Sequence, residues 1–227
     1  MNDPAYRRTR ENMQEFGGAA KTGKAFRESF AGIVRLVGDS YVSARLNAII
    51  RKVCGLGTGA RGERDIDLVS HVDLFKGFNL NLSKPFDTQF NAPSSPPVIN
   101  AARDTVTWDI PDFDTDTFVL APEGATHFKL ALAAGFTSNY EWVPAIKGYE
   151  PVDEDVNGRG MVTYSAEIPL GGMVGSATNL VVDMSSYGAI PVTSALFAGT
   201  AIVFYQMVNG QLYEFSQGHA MKIAVGG

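Results

Sequence analysis

The sequence predicts an α+β protein, in which an N-terminal helical segment precedes an antiparallel β-sandwich of immunoglobulin-like or jelly-roll-like type. Proline gives the first indication, because Pro4 is the only one before Pro85 and the other ten lie between Pro85 and Pro191. Proline is rejected from helix interiors and tolerated in turns and edge strands. The period of the apolar residues also shortens near Asp65, from a helical to an alternating pattern.

The charge changes sign at nearly the same place. Residues 1–64 hold 12 Lys and Arg against 6 Asp and Glu, and residues 65–227 hold 7 against 18. Four glycines in the eight residues 55–62 mark the boundary between the basic and the acidic part of the chain. We therefore expect two domains, a basic helical head with a glycine-rich tether over residues 1–62 and an acidic β-sandwich domain over residues 63–227.

Three helices are expected in the head. Asp3 and Pro4 are typical of an N-cap and a first helical position, so a polar helix should run from there to Phe16 and stop at Gly17 and Gly18. A second helix carries an apolar stripe spaced for one helix face: Phe26, Phe30, Ile33, Val34 and Val37. A third carries Tyr41, Leu46, Ile49, Ile50 and Val53. These stripes must rest on the β body or on another subunit.

Several short strands are expected after Asp65. Alternation or β-rich composition indicates strands over residues 78–82, 106–110, 127–130, 162–168 and 179–182. The clearest element is a hairpin, in which Asn209 and Gly210 join residues 202–208 to residues 211–215. Asn-Gly is the strongest short hairpin signal because both residues accept the positive φ of a type I′ turn. A last strand is expected over residues 219–225.

Composition excludes several classes of protein. With 45% hydrophobic and 11% aromatic residues the chain is not expected to be disordered. No apolar run approaches the ~20 residues of a membrane span, so no span is expected. No apolar stretch follows the first arginines, so we expect cytoplasmic synthesis without a signal peptide. Release from the cell as an assembly is left open. The single Cys54 excludes an intramolecular disulfide.

Two acidic loops have oxygen-bearing side chains at every second residue, as a calcium loop requires. Asp153, Asp155 and Asn157 are followed by Gly158, but the twelfth position is Tyr164 instead of a bidentate Glu. The second loop, with Asp112, Asp114, Asp116 and Glu123, has Thr117 at the glycine position. Solvated turns are the favoured interpretation of both loops, so no cofactor is expected, and calcium at the first loop is the alternative.

No set of residues indicates catalysis. Residues 18–25 nearly match a phosphate-binding loop, but Ala25 stands where the magnesium-binding Ser or Thr is needed, and no strand precedes them. Cys54 ends an apolar stripe, and His71, His127 and His219 are scattered. The head arginines are interleaved with glutamates and the body is acidic, so it would repel a polyanion. We therefore expect neither an enzyme nor a nucleic-acid partner.

Three segments carry a resemblance to known sequences: DPAYRRTRENMQEFGGAAKTGKAFR at 3–27, APEGATHFKL at 121–130 and IVFYQMVNGQLYEF at 202–215. With them, the chain resembles a group of uncharacterised proteins found in Bacteroidota genomes. The resemblance implies no activity, fold or cofactor, but it indicates that the head is a recurrent feature of the group.

These observations favour a non-enzymatic structural subunit whose partners are copies of itself. The basic head of one copy would dock on the acidic body of the next, which builds a filament, tube or phage-like particle. The expected interface combines an apolar stripe with basic side chains: Phe26, Phe30, Ile33, Val34, Val37, Arg7, Arg8 and Arg10. The alternative is a β-sandwich module that binds a ligand or glycan through its loops, with calcium as its candidate ion.

Overall fold

The helices lie mostly at the start of the chain. The structure is a computed structural model that describes residues 4–227, so the predicted cap Asp3 lies outside the described residues. The α-helices are α1 (Arg7–Ser29), α2 (Val34–Val37), α3 (Val42–Leu56), α4 (Phe86–Gln89) and α5 (Thr115–Phe118), and short 3-10 helices span Pro4–Tyr6, Val69–Phe75 and Ser185–Tyr187.

The strands form antiparallel sheets. They are β1 (Val98–Ile99), β2 (Thr105–Ile110), β3 (His127–Ser138), β4 (Tyr140–Val143), β5 (Gly148–Pro151), β6 (Gly160–Tyr164), β7 (Ile168–Pro169), β8 (Thr178–Asp183), β9 (Ser194–Val208), β10 (Gln211–Glu214) and β11 (Ala220–Gly226). β3 and β9 pair along twelve residues at the centre of a six-stranded sheet. β10 and β11 flank β9, and β6 and β7 flank β3. A smaller sheet contains β1, β2 and β8 in that order, and β4 and β5 form a separate hairpin.

The six-stranded sheet is buried on both faces. Along β3 and β9, one set of alternate side chains packs with Trp108, Leu180 and Val182 of the smaller sheet. The other set packs with the helices. The molecule therefore has three layers in the order helices, large sheet and small sheet. The α+β class is confirmed, with an N-terminal helical segment and antiparallel sheets. The immunoglobulin-like or jelly-roll-like type stays a prediction.

The helical segment and the β strands share one hydrophobic core. The rings of Phe26 in α1 and Phe197 in β9 lie 5.0 Å apart, and both contact the ring of Phe75. The same core holds Leu46 and Ile50 of α3 with Met221 of β11. The helical stripes therefore rest on the chain's own β body, and the predicted boundary between residues 62 and 63 is not a boundary of the core.

α1 is one continuous helix, so the predicted stop at Gly17 and Gly18 is wrong. Glycine disfavours a helix interior by about 1 kcal/mol, but Gly18 lies so near Tyr149 that a Cβ there would come within 2.6 Å of its ring. The glycine lets α1 pack closely on β5, and this tertiary contact outweighs the local preference. The near match to a phosphate-binding loop at 18–25 therefore lies inside a helix.

The glycine-rich segment after α3 is a packed turn and not a free tether. The buried carboxylate of Glu15 in α1 accepts hydrogen bonds from the Gly62 N–H and from two nitrogens of Arg64, at 2.8–2.9 Å. Burial raises the pKa of Glu15, but these hydrogen bonds outweigh it and hold the pKa below its ordinary value. Arg64 also donates to the Gly55 carbonyl. The far end of the segment is thereby fixed to α1, and Arg64 also joins it to the end of α3.

The predicted strands at 106–110, 179–182 and 219–225 are confirmed, and 127–130 is the start of a longer strand, β3. Residues 78–82 form no regular strand, although Phe78 and Leu80 exchange backbone hydrogen bonds with β11. The segment predicted as one strand over residues 162–168 divides into β6 and β7. The hairpin of β9 and β10 is confirmed, with φ of 51° at Asn209 and 80° at Gly210.

His219 fixes the chain between β10 and β11. Its imidazole is buried, Nδ1 accepts the Phe204 N–H at 3.0 Å, and Nε2–H donates to the Phe215 carbonyl at 2.5 Å. Only the neutral ring can accept at Nδ1 while it donates at Nε2. Burial lowers the pKa of His219, although the hydrogen bond to Phe215 acts in the opposite direction.

We expect the folded state to lose stability as the pH falls through about 6.5, the ordinary histidine pKa. In that window the unfolded chain takes up a proton that folded His219 resists, so acid favours unfolding. Thermal unfolding followed between about pH 8 and pH 5 checks this, because free carboxylates titrate mostly below that window. The variant His219→Gln should be less stable at pH 8, and its melting temperature should depend much less on pH between pH 8 and pH 5 than that of the wild type. If the variant kept the pH dependence of the wild type, the loss of stability in acid would not come from His219.

Candidate functional site

The predicted apolar interface lies inside the molecule. Phe26, Phe30, Ile33 and Val37 are at most 2% exposed and belong to the core between the helices and the large sheet. Val34 is half-buried and packs against the same core. The expectation that these residues dock on a neighbouring copy is therefore wrong for the stripe. The reason is that the central strands carry a second apolar face, which the stripe covers.

The predicted arginines lie at the start of α1. Arg7 and Arg8 are exposed, and both donate to the carboxylate of Glu11, at 2.8 and 3.0 Å. Arg10 is half-buried on the same turn of the helix. The hydrogen bond from Arg7 is the main reason why the pKa of Glu11 lies below its ordinary value. The structure therefore brings these arginines together on the surface but separates them from the apolar stripe.

The first acidic loop is organised by hydrogen bonds within the protein. One carboxylate oxygen of Asp153 accepts from the hydroxyls of Thr193 and Ser194. The amide oxygen of Asn157 accepts the Ser138 N–H at 3.0 Å, and Asp155 is exposed. Across residues 4–227, no group of three or more His, Cys, Asp or Glu is arranged to hold a metal ion. Calcium at this loop stays a prediction.

The second acidic loop also forms turns. Asp114 caps α5 by accepting from the Asp116 N–H and the Thr117 hydroxyl. Asp112 and Asp116 accept from backbone N–H groups of the loop that follows β7, and Glu123 is exposed. The arrangement agrees with the general preference of Asp for turns and caps.

The candidate nucleophile and histidines do not meet in one place. Cys54 is buried, its thiol donates to the Arg64 carbonyl, and burial raises its pKa, which disfavours the thiolate. His71 lies in a 3-10 helix, His127 starts β3 and His219 bonds backbone groups. Each has a position that packing or secondary structure explains.

The outer side of the helical layer is basic. Residues 4–56 hold ten Lys and Arg against four Asp and Glu. Seven of the basic side chains are exposed, and one of them, Lys21, pairs with Glu150. We call the other six the basic surface: Arg7, Arg8, Lys24, Arg35, Arg51 and Lys52. Met13 and Phe16 of α1 are 67% and 52% exposed on the same layer. The outer side of the helical layer therefore exposes apolar area as well as positive charge.

The outer side of the small sheet is acidic. Residues 98–126 and 170–193 together hold seven Asp and Glu against Arg103 alone. Trp108, Ile110 and Val182 point inward, so the alternate residues of β2 and β8 point to solvent. Exposed carboxylates lie on this side and on the loop after β2, and we call them the acidic surface: Asp109, Asp112, Asp116 and Asp183.

The two surfaces lie on opposite sides of the large sheet, because the helices cover one of its faces and the small sheet covers the other. Sequence reasoning found the imbalance of charge but assigned the contact to the wrong side chains. The charge split was the only signal for the acidic surface, since its members come from two distant segments that pair only in the fold.

No family model, curated protein or solved structure matches the chain. The resemblance to a Bacteroidota group therefore stays a prediction. None of the described helices is both long enough and apolar enough to cross a membrane.

Proposed function

We propose that the protein is a non-enzymatic structural subunit that self-assembles head-to-tail into a filament, tube or phage-like particle. The basic surface of one copy docks on the acidic surface of the next. The observation that supports this proposal is the opposite charge of the two outer layers. The apolar stripe has no part in the contact, which differs from the interface expected from the sequence.

Opposite surfaces on opposite sides of a subunit favour an open assembly. When the basic surface of one copy binds the acidic surface of another, the pair still has one free basic surface and one free acidic surface. Further copies can therefore add at both ends, unless the rotation between neighbouring subunits closes a ring. Opposite charge steers the approach and disfavours like surfaces meeting. Exposed Met13 and Phe16 on one surface and Val181 on the other supply apolar area for the contact.

Reversing the charge of either surface is expected to abolish association. The variant Asp109→Lys/Asp112→Lys/Asp183→Lys keeps only Asp116 of the acidic surface, so both of its sides are basic. The variant Lys24→Glu/Arg35→Glu/Arg51→Glu/Lys52→Glu keeps only Arg7 and Arg8 of the basic surface, so both of its sides are acidic. Like charges across an interface are strongly unfavourable, so each variant alone should associate at least about tenfold more weakly. Sedimentation velocity and negative-stain microscopy measure this, and the wild-type assembly should weaken as salt screens the surfaces.

Mixing the two reversed variants gives the decisive result. Together they restore opposite charges at every contact, so the mixture should assemble while each variant alone stays monomeric. The matched control is Glu154→Lys, which changes an exposed carboxylate that belongs to neither surface and should assemble normally. A wild-type protein that stays monomeric at every concentration and salt, or a mixture that does not assemble, would overturn the proposal.

A further inference from the structure

A cleft opens at the edge of the core between the two sheets. It has a volume of about 370 Å³, at the lower end of the roughly 300–1,000 Å³ of small-molecule sites. β11 forms one wall, α4 and Trp108 of β2 form another, and Asn91, Ala92 and residues 94–97 are also part of the lining. None of the residues of the acidic or basic surface lines it, so the cleft is separate from the proposed contact between copies.

The lining of the cleft includes a threonine hydroxyl that has no hydrogen-bond partner within the described part of the chain. Thr200 of β9 pairs directly with Lys222 of β11, so both side chains leave the sheet on the side of the small sheet. Thr200 is 2% exposed, and its Oγ1 has no hydrogen-bond partner among residues 4–227. A buried hydroxyl without a partner is unfavourable. A ligand that donates to or accepts from Oγ1 would remove this penalty.

A charge pair and aromatic rings lie beside that hydroxyl. The Nζ of Lys222 pairs with the carboxylate of Asp87 and lies 5.3 Å from the centre of the Phe86 ring. The rings of Phe86 and Phe90 meet Trp108 edge-on, with centroids 6.3 and 6.0 Å away. Lysine only donates and a carboxylate only accepts, whereas a threonine hydroxyl does both.

We infer that this cleft binds a neutral sugar ring. A free anion would face the carboxylate of Asp87, and a free cation would face Lys222 and Lys76, so the charges favour an uncharged ligand. Neighbouring hydroxyls of a sugar can accept from Lys222, donate to Asp87 and reach Thr200. The less polar face of the ring, which carries C–H groups, can lie against the aromatic wall. A few convergent polar groups on an apolar lining are typical of small-molecule sites.

Tryptophan fluorescence tests the inference. The chain has two tryptophans, so Trp142→Phe leaves Trp108 as the only reporter. Glucose, galactose, mannose and N-acetylglucosamine are titrated one at a time, at a salt concentration that keeps the protein monomeric, with benzoate as an anionic probe. At least one sugar should change the fluorescence saturably and show saturation-transfer NMR signals. Asp87→Asn should weaken that binding about tenfold, because the hydrogen bond to a charged acceptor is lost.

Thr200→Val separates binding from stability. It removes a hydroxyl that lacks a partner, so the melting temperature should rise by about 2–4 °C while sugar binding weakens about threefold or more. The matched control is Thr137→Val, because Thr137 also has a buried Oγ1 without a partner but does not line the cleft. That variant should be stabilised and bind normally. Absence of saturable binding by all four sugars, binding of benzoate alone, or unchanged binding in Asp87→Asn and Thr200→Val would overturn the inference.

Discussion

Gly160→Ala is expected to lower the free energy of unfolding by about 3 kcal/mol, the upper range for overpacking a close-packed site. Gly160 in β6 pairs with Gly135 in β3, and the last residue of α1, Ser29, lies directly on this pair. A Cβ at Gly160 would come within 2.6 Å of the Ala134 carbonyl oxygen and closer still to that of Ser29. Both obstacles are backbone atoms, so they cannot turn aside as a flexible side chain would.

The matched control for this substitution is Gly17→Ala. Gly17 lies in α1 with no atom within 4 Å of an added Cβ, so alanine there should stabilise the helix by up to about 1 kcal/mol. Urea unfolding of both variants measures the difference. If Gly160→Ala were as stable as the wild type, α1 would not lie against β3 and β6 as described.

Phe197→Ala is expected to lower the free energy of unfolding by about 3–5 kcal/mol, the usual effect of removing a buried phenylalanine. The Phe197 side chain is fully buried, and its ring contacts Phe26 from α1 and Phe75 from the 3-10 helix. Its removal leaves a cavity where the helical layer meets the large sheet, so both should be destabilised together.

Unfolding should therefore stay a single transition in Phe197→Ala, observed at the same denaturant concentration by helical circular dichroism and by tryptophan fluorescence. Phe197→Leu fills most of the space and should have a smaller effect. Two separate transitions, with the helices melting first, would show that the helical segment is a domain of its own. That result would support the domain boundary expected from the sequence between residues 62 and 63.

The sequence predicted the fold best where local signals were strong. The turn of Asn209 and Gly210 requires positive φ and the alternation around Trp108 marks a sheet with one buried face, so β10 and β2 were predicted closely. The third helix was also placed well, because its stripe has helical spacing along its whole length. Each of these elements depends on residues close in sequence.

The remaining features depend on distant partners. Local preference predicts that Gly17 and Gly18 end the helix, because Tyr149, which Gly18 contacts, lies far along the chain. β3 and β9 are apolar without alternation, since helices cover one face and the small sheet the other, so most of each strand was missed. The unpartnered Thr200 could not be identified at all, because only the fold shows which hydroxyls lack a partner.

The contact between Phe26 and Phe197 has a consequence for biosynthesis. The ribosome makes roughly 5–20 residues per second, so α1 waits on the order of ten to thirty seconds for the strand that covers it. During that interval the nascent helix presents its aromatic side to solvent, where it is a natural target for chaperones. Slowed translation, or a truncation that removes β9, should therefore increase aggregation of the newly made chain.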